Sequence, residues 1–341
     1  MNVFPLDAGG ATAVYLAFYT VTLAIHAGLV GYVLAGAGYA AVAAARGEGD
    51  DPVAAVLRDW LPFALGAGIT AGVAPLLFVQ ILYQERFYTA NLLLFHRWMA
   101  LVPALIAGFY LLYLHKAERV TRPGLRAAVI AAAALCFLFA AWSWTENHLL
   151  SLDDAIWRDF YGAGRMLYAD PRLAPRLLTW VLASLPILAV GASWQVRATA
   201  APAVRTLALL ALIGIVGSTA GAFWQRALLA PAARASLESP SIVPWLVALA
   251  AARAAELAAY AQLVRVPDSR RALVVATVGG GLALVAGAVV RESLRLAALE
   301  PIRDGVAGAG GLPLFLAVFA LMIGAIVWIG ALVRRGLSPA R

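Results

Sequence analysis

Long apolar runs separated by short polar stretches set the pattern of this chain. They fall at about 13–42, 60–83, 92–114, 125–145, 174–196, 204–225, 242–264, 271–291 and 311–333. Each reaches the roughly 20 residues that a helix needs to cross a bilayer. A helix satisfies its backbone polar groups within the segment, which lipid demands of anything that spans it. The pattern therefore predicts an all-α integral membrane protein, a bundle of about nine transmembrane helices. No linker or composition shift divides the chain, so residues 1–341 read as one polytopic domain.

The second and third runs meet at a hairpin whose polar turn holds Gln84, Glu85 and Arg86, flanked by Tyr83 and Tyr88. His96 and Arg97 follow just inside the third run. So much polar chemistry at a lipid boundary marks either the wall of a site or an aromatic belt with snorkelling arginines.

Composition supports the membrane reading: with 63% apolar and 13% charged residues, the chain has too little polar surface for a water-soluble globule. The net charge of +8 could suggest nucleic acid, but the bases are dispersed between apolar runs. Topology accounts for them. The loops after the first, third, fifth and seventh runs, with the C-terminus, hold fourteen bases and six acids, whereas the other side holds eleven of each. The positive-inside tendency then puts the N-terminus outside and the C-terminus in the cytoplasm. The opening residues lack a basic n-region, so the first run is expected to remain as a helix. The connection 146–175 lies outside, and its DDAIWRDFYGAGRMLY stretch suits a short interfacial helix capped by Asp153 or Asp154. With Cys136 the sole cysteine, no intramolecular disulfide or cysteine-based cluster is available.

Four histidines are candidates for chemistry. His26 falls midway along the first run, where an imidazole needs partners for both nitrogens. It reads as an axial ligand to haem iron or as a side chain bonded to a neighbouring helix. His96 lies shallower, so one haem held between His26 and His96 would be offset in depth. His148 in the outer loop and His115 at the end of the third run are expected to be solvated. In the seventh run Arg253 and Glu256, three residues apart, share a face and can pair. They could balance a haem propionate, hold a quinone head group, relay a proton or fix helix packing. At the end of the eighth run Arg291, Glu292 and Arg295 share a face, either snorkelling or forming a pocket for a quinol head group or a docking redox partner, as could Glu85 and Arg86. The sequence has no Walker A, HExxH or CxxCH motif. Four histidines are too few for a haem–copper oxidase.

His26 in the first helix, FALGAGITAG in the second and APRLLTWVLAS opening the fifth together resemble subunit I of the cytochrome bd quinol oxidases and its distant relatives. The resemblance implies that His26 ligates haem b and that the protein sits in a bacterial cytoplasmic membrane with other membrane or periplasmic redox subunits. Arg176 and Arg253 match arginines of the family's fifth and seventh helices. Thr179 and Ala255 stand where the family has its low-spin haem ligands, and its third-helix glutamates and quinol signature are missing. The resemblance thus implies electron transfer between quinol and a periplasmic partner, without oxygen reduction by the family's route. A haem-free anchor subunit is the alternative, and a transporter, which would need repeats or broken helices, ranks below it.

Overall fold

The computed structural model describes residues 10–47, 51–165 and 167–299, with scattered positions between 313 and 328. Among these residues every regular element is helical, and eight segments are long and apolar enough to span a membrane. The protein is an all-helical multi-pass membrane protein. The spans are α1 (Gly10–Arg46), α2 (Pro52–Leu82), the pair α3 (Gln84–Met99) and α4 (Leu101–Lys116), α5 (Pro123–Ser151), α7 (Leu173–Val196), α8 (Ala201–Ala227), α10 (Val243–Arg265) and α11 (Arg270–Ala298). Two short helices, α6 (Trp157–Gly162) and α9 (Pro231–Ser236), lie between spans. The ninth predicted span, 311–333, falls for the most part outside the described residues. One of its described positions, Phe319, packs edge-on against Phe18 of α1 at 5.4 Å.

Local chemistry starts these helices where backbone N–H groups need partners. Asp51 caps α2 by accepting from the amides of Val53 and Ala54, with Pro52 supplying a first-turn residue that has no N–H to satisfy. Ser269 caps α11 by accepting from Ala272. Pro123 opens α5 in the same way that Pro52 opens α2.

Several expectations are corrected. The polar turn at Gln84–Arg86 is the first turn of α3, and only Tyr83 separates it from α2. Once the α2 ladder closes at Tyr83, a polar first turn exposes side chains without breaking the backbone pattern. The third span is broken rather than continuous: Phe95 has φ 21° and ψ −93°, a positive φ that is strained for a bulky side chain. The connection 146–175 is shorter than expected, because α5 continues to Ser151. Its short helix, α6, follows a 3-10 turn at Asp154–Ile156. Asp153 precedes that turn without capping it and instead accepts a hydrogen bond from the Tyr168 hydroxyl at 3.0 Å.

Helix α1 is central, packing against α2, α5, α7 and α11. The buried apolar residues along it fall into two clusters. One gathers Tyr15, Leu16 and Tyr19 with Phe78, Phe87 and Val289 at the α6 end of the bundle. The other gathers Val33, Ala37 and Ala40 with Leu57, Leu188 and Ile215 towards the opposite end. Between them residues 25–30 of α1 are only part-buried or exposed, so neither cluster continues through the level of His26.

Candidate functional site

Two arrangements of polar groups stand out, one at that middle level and one at the α6 end. In the first, the Nδ1 of His26 lies 2.9 Å from the carbonyl oxygen of Gly68. A carbonyl can only accept, so Nδ1 carries the proton and donates, leaving the lone pair on Nε2. Among the described residues Nε2 has no hydrogen-bond partner. Glycine makes the approach of α2 possible: a Cβ at position 72 would lie 2.8 Å from the His26 Cε1. A ring oriented by a backbone carbonyl through one nitrogen and open at the other is the usual state of a histidine that ligates iron. The stretch of α1 beside it, residues 25–30, is part-buried or exposed, and a ring so oriented could ligate haem iron through Nε2.

His96 does not join His26. It follows the break at Phe95, is exposed on α3 and touches the Phe95 ring. Arg253 and Glu256 do pair, at 2.8 Å along one face of α10. Glu256 is buried against Gly279 and Gly280 of α11, so this pair fixes the α10–α11 seam. Among the described residues no group of three or more histidine, cysteine, aspartate or glutamate side chains is placed to hold a metal ion.

The second arrangement lies where α1, α5, α7 and α11 converge. Arg291 of α11 donates from Nη1 to the hydroxyl of Tyr19 at 3.1 Å and from Nη2 to Nδ1 of His148 at 3.3 Å. Its neighbour Glu292 is fully buried and accepts a hydrogen bond from the Tyr83 hydroxyl. The Arg295 guanidinium stacks on the Tyr83 ring at 3.7 Å, a favourable cation–π contact. Arg176 of α7 approaches this group closely enough to feel the charges of Arg291 and Arg295.

Of the predicted trio Arg291, Glu292 and Arg295, the last two are 0% and 3% exposed, so neither snorkels. His148 is corrected from solvated to buried because α5 runs to Ser151, nearly two turns past the end of its apolar run. His115 is likewise buried, against expectation. Glu85 is exposed. Arg86 pairs with Asp154 at 2.9 Å and ties α3 to the connection after α5.

That connection is fastened at two more points. Glu146 takes both the Arg97 guanidinium and the backbone N–H of Tyr168, and Arg97 stacks on Trp142 at 4.4 Å. The Tyr168 hydroxyl reaches Asp153 and Asp170, and Asp170 is clasped by Arg172. Burial alone would raise the Asp170 carboxyl, but hydrogen bonds from the side chain and backbone of Arg172 outweigh it and hold the group below its ordinary value.

Sequence reasoning named Arg97 in the polar rim but missed Tyr19, Glu146 and His148 as parts of the same polar end. Tyr19 had a readable signal, since it precedes His26 by seven residues and so shares its face of α1. Compared with protein-family models and with curated proteins, the chain matches none.

Proposed function

We propose that this protein is a membrane subunit of a respiratory electron-transfer complex of the cytochrome bd type, binding haem b through His26 and passing electrons between quinol and a periplasmic partner. The reading rests on one observation above the others: His26 donates from Nδ1 to the Gly68 carbonyl and leaves Nε2 without a described partner, at a level where the bundle core is not closed. An imidazole nitrogen without a partner in the apolar middle of a membrane span is costly, and coordination of iron would remove that cost. Bound there, haem b would supply one-electron chemistry. The chain's own contribution is to fix the ring orientation through Gly68, to admit the ring beside α2 through Gly72 and to keep water away with the cores on either side. In this reading the α6 end faces the periplasm and the protein lies in a bacterial cytoplasmic membrane, as the excess of bases on the opposite side favours.

The test is a reduced-minus-oxidised visible spectrum of the purified protein, with His26→Ala beside it. A Soret and an alpha band in the wild type that are lost in the variant support the reading. Bands that survive in His26→Ala, or a colourless wild type after growth with haem precursor, overturn it.

A further inference from the structure

Among the described residues, the cluster where α1, α5, α7 and α11 converge carries more positive charge than the acids within it balance. Arg291 and Arg295 of α11, with Arg176 of α7 near enough to feel their charge, share among the described residues one carboxylate, Glu292, whose nearest approach to a guanidinium is 3.8 Å from Arg291. Arg172 lies nearby but is matched by Asp170. Arg176 makes no described hydrogen bond or ion pair, and no described group accepts from Arg295. Arg295 is 3% exposed, with its Nε closed off from any partner. Arg176 and Arg291 are only part-buried, so a ligand can reach them.

The described partners of Arg291 at His148 and Tyr19 can both donate. Since the Nδ1 of His148 accepts from Arg291, its proton sits on Nε2, which can donate. The Tyr19 oxygen accepts from Arg291 and keeps its own O–H to give. Guanidinium groups that no described acid matches, Arg295 among them cut off from water, are unfavourable unless an anion meets them. A neutral quinol head group would accept hydrogen bonds but leave those charges unbalanced.

We infer that this cluster is an oxyanion site that takes a dianionic phosphate-monoester group between Arg176, Arg295 and the His148–Arg291–Tyr19 chain. Guanidinium forks match the spacing of phosphate oxygens, and two net positive charges match a doubly ionised phosphate. The group can arrive on an anionic lipid of the leaflet at this end or as free phosphate. The inference does not depend on haem at His26.

The experiment is thermal unfolding of the purified full chain in detergent, followed by tryptophan fluorescence, with inorganic phosphate, phosphatidic acid or phosphatidylcholine added at matched ionic strength. Wild type, Arg176→Gln and His26→Ala are compared. Because Arg176 has no described partner, its replacement should leave the ligand-free protein at least as stable as the wild type while weakening the response about tenfold, the loss of one charge-assisted contact. Stabilisation by inorganic phosphate points to a soluble ligand, and stabilisation by phosphatidic acid but by neither phosphate nor phosphatidylcholine points to a lipid. Either supports the site if Arg176→Gln loses the response and His26→Ala keeps it. No response to any probe, or an equal response in wild type and Arg176→Gln, overturns the oxyanion site and leaves the haem reading standing. A response lost in His26→Ala alone also overturns it, because the binding would then belong to the His26 level.

Discussion

Arg291 and His148, 143 residues apart in the chain, meet inside the bundle with Nη2 of the arginine 3.3 Å from Nδ1 of the histidine. This contact joins α11 to α5, and through the Tyr19 hydroxyl it extends to α1. Three spans are thus tied by one guanidinium at a depth where apolar packing alone gives little drive for helices to associate.

Replacing His148 by alanine should therefore loosen α5 from α11. It removes an acceptor from a part-buried arginine whose buried Nε already lacks one. The expected loss is about 1–3 kcal/mol, since an unsatisfied buried charged donor is left behind. Thermal unfolding in detergent reads it. His148→Gln, which can accept at a similar reach, should recover part of the loss, and a variant as stable as the wild type would mean that the contact carries no weight.

The ion pair on α10 makes a different prediction. Glu256 is 2% exposed at its side chain and Arg253 24%, so losing the arginine strands the more buried partner. Arg253→Ala should destabilise the protein by up to about 3 kcal/mol, toward the low end for a broken buried pair because Arg253 is partly exposed. Arg253→Ala combined with Glu256→Gln should cost less than Arg253→Ala alone, because no buried charge is then left unpaired. A double-mutant cycle on unfolding free energy checks this, and simple additivity would contradict it.

Much of the fold was legible in the amino-acid pattern because length and hydropathy decide whether a helix spans. The Arg253–Glu256 contact was legible for a similar reason, since a separation of three fixes two side chains on one face. What could not be read was where polar helix ends stop. The last turn of α5, Asn147–Ser151, is polar in part and looked like loop, yet it continues as helix because its side chains find partners: Asn147 donates to Asn91 at 2.7 Å and the Ser151 hydroxyl to the His148 carbonyl at 2.7 Å. That one turn decides whether His148 is solvated or buried. Arg176 gave no sign of facing Arg291 and Arg295, because nothing in local spacing reports a meeting between residues more than a hundred positions apart. The break at Phe95 was equally hidden, as its neighbours in LLLFHRW carry no proline or glycine.

The connection between α5 and α7 should respond to acid. Asp170 sits below its ordinary value of 3.8 in the folded protein, held there by Arg172 against the opposing effect of burial. A carboxyl whose folded value is depressed stabilises the fold fully above the ordinary value and loses that contribution as the pH falls through the folded one. Arg172, 29% exposed, screens part of the interaction, so Asp170→Asn should cost about 1–2 kcal/mol at neutral pH. The gap between wild type and Asp170→Asn should stay level down to about pH 5 and close below 3.8. Stability measured against pH for the two proteins, with proteolysis of residues 152–172 as a local readout, tests the sign. A gap that widens in acid would contradict the assignment.

The last prediction concerns the fit between α1 and α2 on which the His26 geometry depends. A Cβ added at Gly72 would stand 2.8 Å from Cε1 and 3.0 Å from Nδ1 of His26, closer than carbon atoms tolerate, so the ring must turn or α2 must retreat. Either movement stretches the hydrogen bond to Gly68 that fixes which nitrogen carries the proton. Gly72→Ala should therefore cost about 1–3 kcal/mol by overpacking. Gly66, one and a half turns earlier on the same helix, has nothing within 4 Å of its missing Cβ. Gly66→Ala should be neutral or stabilising by up to about 1 kcal/mol, because alanine restricts the unfolded chain more than glycine does. The contrast separates a specific contact at the histidine from a general intolerance of α2 to side chains. If His26 holds haem b, Gly72→Ala should also shift or weaken the visible bands while Gly66→Ala leaves them unchanged. Equal behaviour of the two variants in both stability and spectrum would show that the ring is free to move, and the orienting role assigned to Gly68 would fall with it.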